Sequence, residues 1–288
     1  MSAASAPLHG RICLVTGATS GIGRVTAQAL AQQGATVVLV ARDPSRAAAT
    51  VGQIKQQTGN LNVASLLADL SAQDQVRRLA AEFTSQYAQL HVLVNNAGAL
   101  FWRRHETADG QERTFALNHL APFLLTNLLL DMLKASGPSR IVTTASAAHT
   151  GAAIPFDDLQ QAHHRYRGFA VYGQTKLANL LFTYELARRL AGSGVTANAF
   201  HPGYVATNFG RSDSHLMSAL MPLANRFAIS PEKGADTATY LATSPDVAGV
   251  SGQYFTKRQA IRSSPASYDE AAQRRLWEAS AQLTGLAT

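Results

Sequence analysis

The chain has 288 residues, a net charge of +7, 46% hydrophobic residues, 15% charged residues and one cysteine. This composition supports a sizeable core and excludes a disordered protein, and a lone cysteine excludes a disulfide framework or a thiolate metal site. No stretch reaches the ~18 apolar residues of a membrane span. The first ten residues lack the basic and apolar regions of a signal peptide, so a soluble, cytoplasmic protein is expected.

The positive charge is spread along the chain, in pairs such as Arg103–Arg104 and Arg188–Arg189 rather than in one run. Proteins that bind nucleic acid typically carry a clustered basic stripe, so no nucleic-acid partner is expected. We interpret the excess charge as solvated faces and as an attraction for a polyanionic cofactor. The adjacent histidines His163 and His164 cannot share one face of a helix, and no carboxylates converge on them in the sequence, so no metal site is predicted.

The first predicted element is a buried strand, Arg11–Val15, which is followed by a glycine-containing turn and then by a helical pattern that ends at Gly34. A glycine turn between a strand and a helix presents free N–H groups and the helix dipole, which together bind phosphate. Three glycines in an ordinary turn are the alternative. The candidate cofactor contacts here are Thr16, Gly17, Thr19, Ser20, Gly21, Ile22 and Gly23.

Strand and helix patterns alternate along the rest of the chain. The further predicted strands are Thr36–Val40, Asn62–Leu67, His91–Asn95, Arg140–Ser146, Val195–Phe200 and Gln253–Phe255. The predicted helices are Pro44–Gln57, Ala72–Tyr87, Gly110–Lys134, Ala170–Leu190 and Pro231–Leu241, and a capping box (Ser267-x-x-Glu270) predicts a last helix at about 267–284. Such alternation predicts an α/β fold: a single Rossmann-type doubly wound domain over residues 1–288, with about seven parallel strands and helices on both faces.

Two residues four apart in a predicted helix, Tyr172 and Lys176, lie on one helical face. An ammonium beside a phenol favours the phenolate, and lowering a tyrosine pKa from ~10 to ~7 needs roughly 4 kcal/mol. Opposite charges about 4 Å apart supply that energy at an effective dielectric of ~20. The pair is therefore a candidate proton donor with its activator, although the same spacing also occurs between ordinary surface neighbours on helices.

Seven motifs occur in an order that resembles the short-chain dehydrogenase/reductase family over nearly the whole chain. They are the turn Thr16–Gly23, Asp69-Leu70, Asn95-Asn96-Ala97-Gly98, Asn118, Ser146, Tyr172 with Lys176, and Pro202-Gly203. Stretches such as Lys176-Leu-Ala-Asn179 and Gly249-Val-Ser-Gly252 are most similar to the retinol-dehydrogenase-like branch of that family.

The resemblance assigns a role to each of four candidate catalytic residues. It implies that Tyr172 gives its proton to a carbonyl oxygen, and that Lys176 lowers the phenol pKa and binds the ribose of the nicotinamide half. It implies that Ser146 hydrogen-bonds the substrate oxygen and that Asn118 holds a water leading to Lys176.

Some neighbouring residues compete with these four. Tyr166 is a second tyrosine, but Ala170 rather than a lysine stands four residues later. Thr143 and Thr144 also carry hydroxyls near Ser146, which nevertheless occupies the family's position.

Cofactor choice depends on the end of the second strand, where the family's acidic position carries Ala41 and is followed by Arg42. An acidic residue there would repel a 2′-phosphate, whereas a guanidinium binds phosphate well, so NADP(H) is favoured over NAD(H). An arginine that only faces water is the alternative. By resemblance Asp69 contacts the adenine, and Val205 and Thr207 contact the nicotinamide. The remaining implied contacts are Leu70, Asn95, Ala97, Gly98, Pro202 and Gly203.

The segment Asn208–Ser230 contains several leucines and methionines and corresponds to the family's substrate lid. An apolar lid suits lipid-like or aromatic carbonyl compounds, although these residues could instead pack a helix onto the body. The resemblance thus implies an NADP(H)-dependent oxidoreductase that transfers hydride between nicotinamide and a retinoid-, steroid- or lipid-like carbonyl or alcohol. Homodimer and homotetramer are open alternatives for its assembly.

Two other functions stay open. The first is an NADP(H)-binding regulatory protein without turnover, against which the complete set of four candidate catalytic residues argues. The second is light-driven reduction of a chlorophyll precursor, which distant relatives carry out on the same scaffold.

Overall fold

An eight-stranded sheet forms the centre of the computed structural model, which describes residues 7–204 and 228–287. Its strands are β1 Ile12–Thr16, β2 Thr36–Ala41, β3 Val63–Leu67, β4 Val92–Asn95, β5 Ser139–Thr144, β6 Val195–Phe200, β7 Tyr254–Thr256 and β8 Gln259–Ile261. Their spatial order is β3-β2-β1-β4-β5-β6-β7-β8. The first seven are parallel, which confirms the predicted fold class, and β8 runs antiparallel to β7.

The eighth strand was not predicted from the sequence. It is joined to β7 by a two-residue turn, Lys257-Arg258, in which both residues have positive φ (48° and 62°). Two-residue hairpin turns of this kind usually contain Asn-Gly or Asp-Gly, because those residues tolerate positive φ. Lysine and arginine give no such signal, so the hairpin could not be recognised from local sequence.

Helices cover both faces of the sheet. They are α1 Gly21–Gln32, α2 Pro44–Thr58, α3 Gln73–Gln86, α4 Arg113–Phe115, α5 Ala121–Leu128, α6 Leu130–Ala135, α7 Gly168–Arg189, α8 Pro231–Thr243 and α9 Glu270–Thr284. Side chains alternate along β1: Leu14 joins a buried cluster with residues of α3, α5, α7 and α9, whereas Cys13 and Val15 join a second cluster with α1, α2 and α8. Within residues 7–204 and 228–287, no helix has the length and apolar character that a membrane crossing needs.

The predicted helix Gly110–Lys134 is interrupted. Its first residues form a turn instead, and α4 begins only after Glu112, whose carboxylate accepts hydrogen bonds from the N–H groups of Thr114 and Phe115 (both 2.8 Å). A π-helical turn, Ala116–Leu120, then separates α4 from α5. Pro122, the second residue of α5, has no N–H to donate, which prevents a regular α-helical hydrogen-bond ladder at this point.

The predicted capping box of the last helix was wrong. Ser267 lies in a 3-10 turn, and its hydroxyl donates to the carbonyl of Ser264 (2.6 Å). The residue that caps α9 is Asp269, whose Oδ1 accepts from the N–H groups of Ala271 and Ala272 (2.9 and 3.0 Å). Asp is as good an N-cap as Ser, and two candidates two residues apart cannot be ranked by local sequence.

The sheet has a topological switch point between β1 and β4. From β1 the chain winds outward through β2 and β3, and it then returns to place β4 on the other side of β1. The crossover helices therefore lie on opposite faces, and a crevice opens at the carboxyl ends of β1 and β4. The predicted glycine turn lies at this crevice.

Candidate active site

The glycine turn connects the end of β1 to the start of α1. Gly17 and Gly21 have positive φ angles (64° and 52°), which residues with a Cβ rarely adopt. A Cβ on Gly23 would lie 2.4 Å from the carbonyl oxygen of Gly17 and 2.5 Å from Nδ2 of Asn96, so only glycine fits there. Ser20 is the N-cap residue of α1 but makes no side-chain capping bond, and the first turn carries no acidic residue. The helix therefore offers N–H groups to an anion.

Asn96, which the sequence did not single out as a site residue, braces this turn. Its Nδ2 donates to the carbonyl oxygens of Thr16 (2.9 Å) and Gly17 (3.3 Å). Thr16 completes the brace, because its Oγ1 accepts from the N–H groups of Asn96 and Ala97 (2.9 and 3.0 Å). The predicted contact Asn95 points elsewhere: its side chain is buried and donates to Oγ1 of Thr126 (2.9 Å). The Asn-Asn doublet was the available signal, but local sequence does not say which asparagine faces the turn.

Arg42 follows β2 at the same edge of the sheet, with a side chain that is 69% exposed. Its Nη1 lies 3.9 Å from Oδ2 of Asp69, which follows β3. Burial raises the pKa of the Asp69 carboxyl, but hydrogen bonds from Ser71 and the charges of Arg42 and Arg113 outweigh it, so the net pKa lies below the usual value. Asp69 is thus held as a carboxylate, and an exposed guanidinium stands beside it.

The other predicted cofactor contacts also line this edge. Gly98 is exposed after β4, Ala97 is half-buried, and Leu70 is buried in the core after β3. Pro202 and Gly203 follow β6, and Gly203 has a φ of 89°. The predicted contacts Val205 and Thr207, and nearly all of the predicted lid 208–230, lie outside the described residues.

Tyr172 and Lys176 lie one turn apart on α7, as the sequence predicted. Lys176 is buried, and its Nζ donates to the carbonyl oxygen of Thr144 (2.9 Å) at the end of β5. This Nζ lies 5.4 Å from the centre of the Tyr172 ring, and a Cβ placed on Gly98 would lie 3.6 Å from it. In the part of the chain that the structure describes, Lys176 has no acidic partner.

Ser146 lies two residues beyond the end of β5 rather than within the strand. Its side chain hydrogen-bonds that of Tyr172, and its Oγ also accepts from the N–H of Ala148 (3.2 Å). The competing tyrosine, Tyr166, lies elsewhere: its hydroxyl contacts Oγ1 of Thr114 (2.8 Å) and donates to Oε1 of Glu112 (3.0 Å). Only Tyr172, of the two tyrosines, is brought to the serine and the lysine.

The protonation of the pair differs from the prediction made from the sequence. Burial raises the pKa of the Tyr172 phenol, and the hydrogen bond with Ser146 lowers it by less. Burial also lowers the pKa of Lys176 to about 8. Burial therefore outweighs any lowering of the phenol pKa by the lysine, whose Nζ lies over the ring and is bonded to the carbonyl of Thr144.

Asn118 lies in the π-helical turn and connects two parts of the site. Its Oδ1 accepts from the N–H of Ala99 (2.8 Å), and its Nδ2 donates to the carbonyl of Ala99 (2.9 Å) and to Oγ1 of Thr175 (3.1 Å). It therefore joins the loop after β4 to α7, next to Lys176. Isolated π-turns often occur at functional sites.

One side of the Tyr172 ring is lined by an exposed aromatic residue that the sequence did not single out. Phe169 precedes Tyr172 by nearly one helical turn, its ring centre lies 6.4 Å away, and it is 60% exposed. A single exposed apolar side chain is common on protein surfaces, and it is the position of Phe169 beside Tyr172 that makes it a candidate wall of the substrate site.

The histidines considered for a metal have other partners. His164 Nδ1 lies 3.0 Å from Oδ2 of the buried Asp158, which also accepts from the N–H groups of Ala162 and His163. Over residues 7–204 and 228–287, no three His, Cys, Asp or Glu side chains form a metal-binding group.

The parallel sheet with a glycine turn at its switch point defines a Rossmann-type, dinucleotide-binding fold. Residues 11–216 match the family model for short chain dehydrogenases, and the chain belongs to that family. The protein is therefore an oxidoreductase of a family that uses a nicotinamide cofactor and acts on small molecules.

Among curated proteins, the chain is similar to retinol dehydrogenases. It is 42% identical over 286 residues to Homo sapiens retinol dehydrogenase 13, covering 98% of this chain and 86% of that protein. It is also 42% identical over 279 residues to Homo sapiens retinol dehydrogenase 11, covering 97% of this chain and 87% of that protein. These relatives confirm the predicted retinol-dehydrogenase-like branch.

Solved structures have the same fold. An uncharacterised protein from Mycobacterium paratuberculosis has a TM-score of 0.78 at 34% identity, covering 96% of this chain and 94% of that chain. The Pseudomonas aeruginosa RhlG/NADP active-site complex has a TM-score of 0.68 at 29% identity, covering 87% of this chain and 96% of that chain.

Proposed function

We propose that this protein is an NADP(H)-dependent oxidoreductase that interconverts an apolar carbonyl compound and its alcohol, with Asn118, Ser146, Tyr172 and Lys176 as its catalytic set. The observation that carries the proposal is the convergence of three side chains from two elements. The Tyr172 phenol is bonded to Ser146, and the buried Lys176 ammonium lies against both the phenol ring and the exposed backbone of Gly98. This convergence lies at the carboxyl edge of the sheet, where the glycine turn also stands.

Ser146, Tyr172 and Lys176 then have one step each, while Asn118 holds the loop after β4 to α7. The nicotinamide, when bound, supplies or accepts the hydride at the substrate carbon. In the reducing direction, the Ser146 hydroxyl holds the carbonyl oxygen and the Tyr172 phenol gives its proton to that same oxygen, so that the carbonyl becomes an alcohol. Lys176 stabilises the phenolate that remains, because its charge is buried and has no acidic partner among the described residues. Oxidation of the alcohol is the reverse.

The NADP(H) preference is supported by the end of β2. The position where an acidic residue would bind the ribose hydroxyls of NAD is Ala41, and the exposed guanidinium of Arg42 comes next. A guanidinium binds a 2′-phosphate with charge-assisted hydrogen bonds. The RhlG structure and that of a Burkholderia cenocepacia short chain dehydrogenase are complexes with NADP.

A retinoid-, steroid- or lipid-like substrate is supported by two observations. Phe169 exposes its ring beside Tyr172, and the most similar curated proteins in this comparison include several retinol dehydrogenases. The proposal extends to a single domain over residues 1–288 with a lid at 208–230. Cytoplasmic location and assembly as a homodimer or homotetramer stay predictions, which cell fractionation and sedimentation velocity would test.

The central test is Tyr172→Phe. This change removes the proton donor and keeps the ring, so NADPH oxidation with a retinaldehyde or aromatic ketone should fall by about 10²–10⁴-fold. NADPH affinity, measured by fluorescence titration, should change little. Tyr166→Phe is the matched control, because Tyr166 is the second tyrosine of the region and its hydroxyl bonds Thr114 and Glu112. Turnover by Tyr172→Phe above half that of the wild type would exclude the proposed role.

A further inference from the structure

The turn that carries Ser146 is fixed by a buried histidine three residues later. His149 is 3% exposed, and its Nδ1 lies 2.6 Å from the carbonyl oxygen of Ser146. Its Nε2 lies 3.0 Å from the backbone nitrogen of Ser264. A carbonyl can only accept and a backbone N–H can only donate, so the ring must be neutral, with its proton on Nδ1. His149 therefore joins the backbone of Ser146 to a segment 115 residues away in the chain.

The segment that His149 reaches is itself attached to the helix that carries Tyr172. The hydroxyl of Ser263 lies 2.6 Å from that of Tyr184, which is on α7, and 2.6 Å from that of Ser267. The Tyr184 ring also stacks on the ring of Tyr268 (5.3 Å between centres). The contacts from Ser146 through His149 and the 263–264 segment therefore end on α7, the helix that also carries Tyr172.

The position of the Ser146 hydroxyl is restricted by two contacts. Its hydroxyl must meet both the Tyr172 phenol and, under the proposed function, the substrate oxygen. The backbone around it is held on two further sides: the N–H of Ala147 donates to Nδ1 of His201 (3.3 Å), and the carbonyl oxygen of Ala148 packs where a Cβ on Gly173 would lie 2.5 Å away. The carbonyl oxygen of Ser146 accepts two hydrogen bonds, both from His149. The ring Nδ1–H gives the shorter one (2.6 Å) and the backbone N–H the longer one (3.1 Å), so the ring bond is the contact that a substitution of the side chain removes.

We infer that His149 is a positioning residue for Ser146, acting through its carbonyl and anchored by the N–H of Ser264. The inference rests on the proposed function, because it gives His149 no contact with substrate or cofactor. Its effect on turnover must pass through the Ser146 hydroxyl. A displacement of about 1 Å at a reacting group can cost roughly 100-fold in rate.

The experiment is a double-mutant cycle on the full chain, with kcat, KM and NADPH affinity measured separately. His149→Ala should lower kcat by roughly 10–100-fold while NADPH affinity stays within about twofold. In a Ser146→Ala background the same change should have no further effect on kcat. His149→Asn should recover part of the lost rate, because its Nδ2 can still donate to the Ser146 carbonyl.

A second variant tests the anchor without changing the histidine. Ser264 has a φ of −63°, which proline adopts, so the backbone angle is compatible with Ser264→Pro. The change removes the N–H and puts the ring Cδ where that proton faces Nε2, so the anchor is lost and the His149 ring is displaced. It should lower kcat in the wild type and leave kcat unchanged in the Ser146→Ala background. The matched control is His91→Ala, since His91 is also buried and accepts one backbone N–H, from Ile12 (3.0 Å), but lies at the amino end of β4. It should lower the melting temperature without lowering kcat.

The outcomes separate the two proposals. If Ser146→Ala leaves turnover unchanged, the proposed function is wrong. If Ser146→Ala lowers kcat but His149→Ala and Ser264→Pro do not, the inference is wrong. An equal loss from His149→Ala with and without Ser146 would also overturn it, as would a loss of kcat in His91→Ala equal to that in His149→Ala.

Discussion

At the scale of single residues, the proposed preference for NADP(H) depends on Arg42. Its guanidinium is exposed beside Asp69, and hydrogen bonds to a charged group contribute roughly 1.5–3 kcal/mol. Arg42→Ala should therefore weaken NADPH binding by roughly 10–100-fold and leave NADH binding nearly unchanged, as measured by fluorescence titration of both cofactors. Arg46→Ala is the control, since Arg46 is also an exposed arginine and lies within the first turn of α2. Equal losses for NADPH and NADH would show that Arg42 does not contact the 2′-phosphate.

Under the proposed function, the buried Lys176 gives carbonyl reduction a pH dependence. Burial lowers its pKa to about 8, so the ammonium is charged below that pH and neutral above it. The Tyr172 phenol has a raised pKa and keeps its proton across the same range. Carbonyl reduction needs both groups protonated, so log kcat/KM with NADPH should be level near neutral pH and fall above about pH 8, approaching a slope of about −1. A level profile up to about pH 10 would contradict this role of Lys176.

At the scale of secondary structure, the start of α1 depends on close contact with the strand before it. Gly23→Ala would place a Cβ 2.4 Å from the Gly17 carbonyl, which is backbone and cannot rotate away. Overpacking of this kind costs about 1–3 kcal/mol, and it should displace the turn that we propose holds the pyrophosphate. We expect a lower melting temperature and weaker binding of both NADPH and NADH.

Gly52→Ala is the matched control for that change. Gly52 lies inside α2, and a Cβ there would meet nothing within 4 Å. Alanine is favoured over glycine in a helix interior by about 1 kcal/mol, so this variant should be as stable as the wild type or more stable, with unchanged cofactor affinity. Wild-type affinity of Gly23→Ala for both cofactors would contradict this prediction, because it would mean that the turn accommodates a Cβ at position 23.

At the scale of the whole molecule, the exposed ring of Phe169 predicts how rate depends on substrate size. Each buried methylene contributes about 0.8 kcal/mol, so two added carbons in a series of aldehydes should raise kcat/KM by roughly tenfold. Phe169→Ser should make this slope shallower. Leu61→Ser should not, because Leu61 is 75% exposed but precedes β3 at the amino end of the strands. A flat series in the wild type would favour a small polar carbonyl as substrate.

The sequence by itself determined the parts of the protein that depend on local patterns. The seven parallel strands, the glycine turn and the pairing of Tyr172 with Lys176 on one helical face follow from residue periodicity and from the backbone freedom of glycine. These features involve residues that are close in the chain, so the chemistry of a short window is sufficient to predict them.

Only the tertiary structure decided which of several similar residues serve the site. It turned Asn96 toward the glycine turn and Asn95 into the core, and it brought Tyr172 rather than Tyr166 to Ser146. It also joined His149 to Ser264. Each choice depends on contacts between residues that are tens to more than a hundred positions apart, which packing of the complete chain fixes and no local pattern encodes.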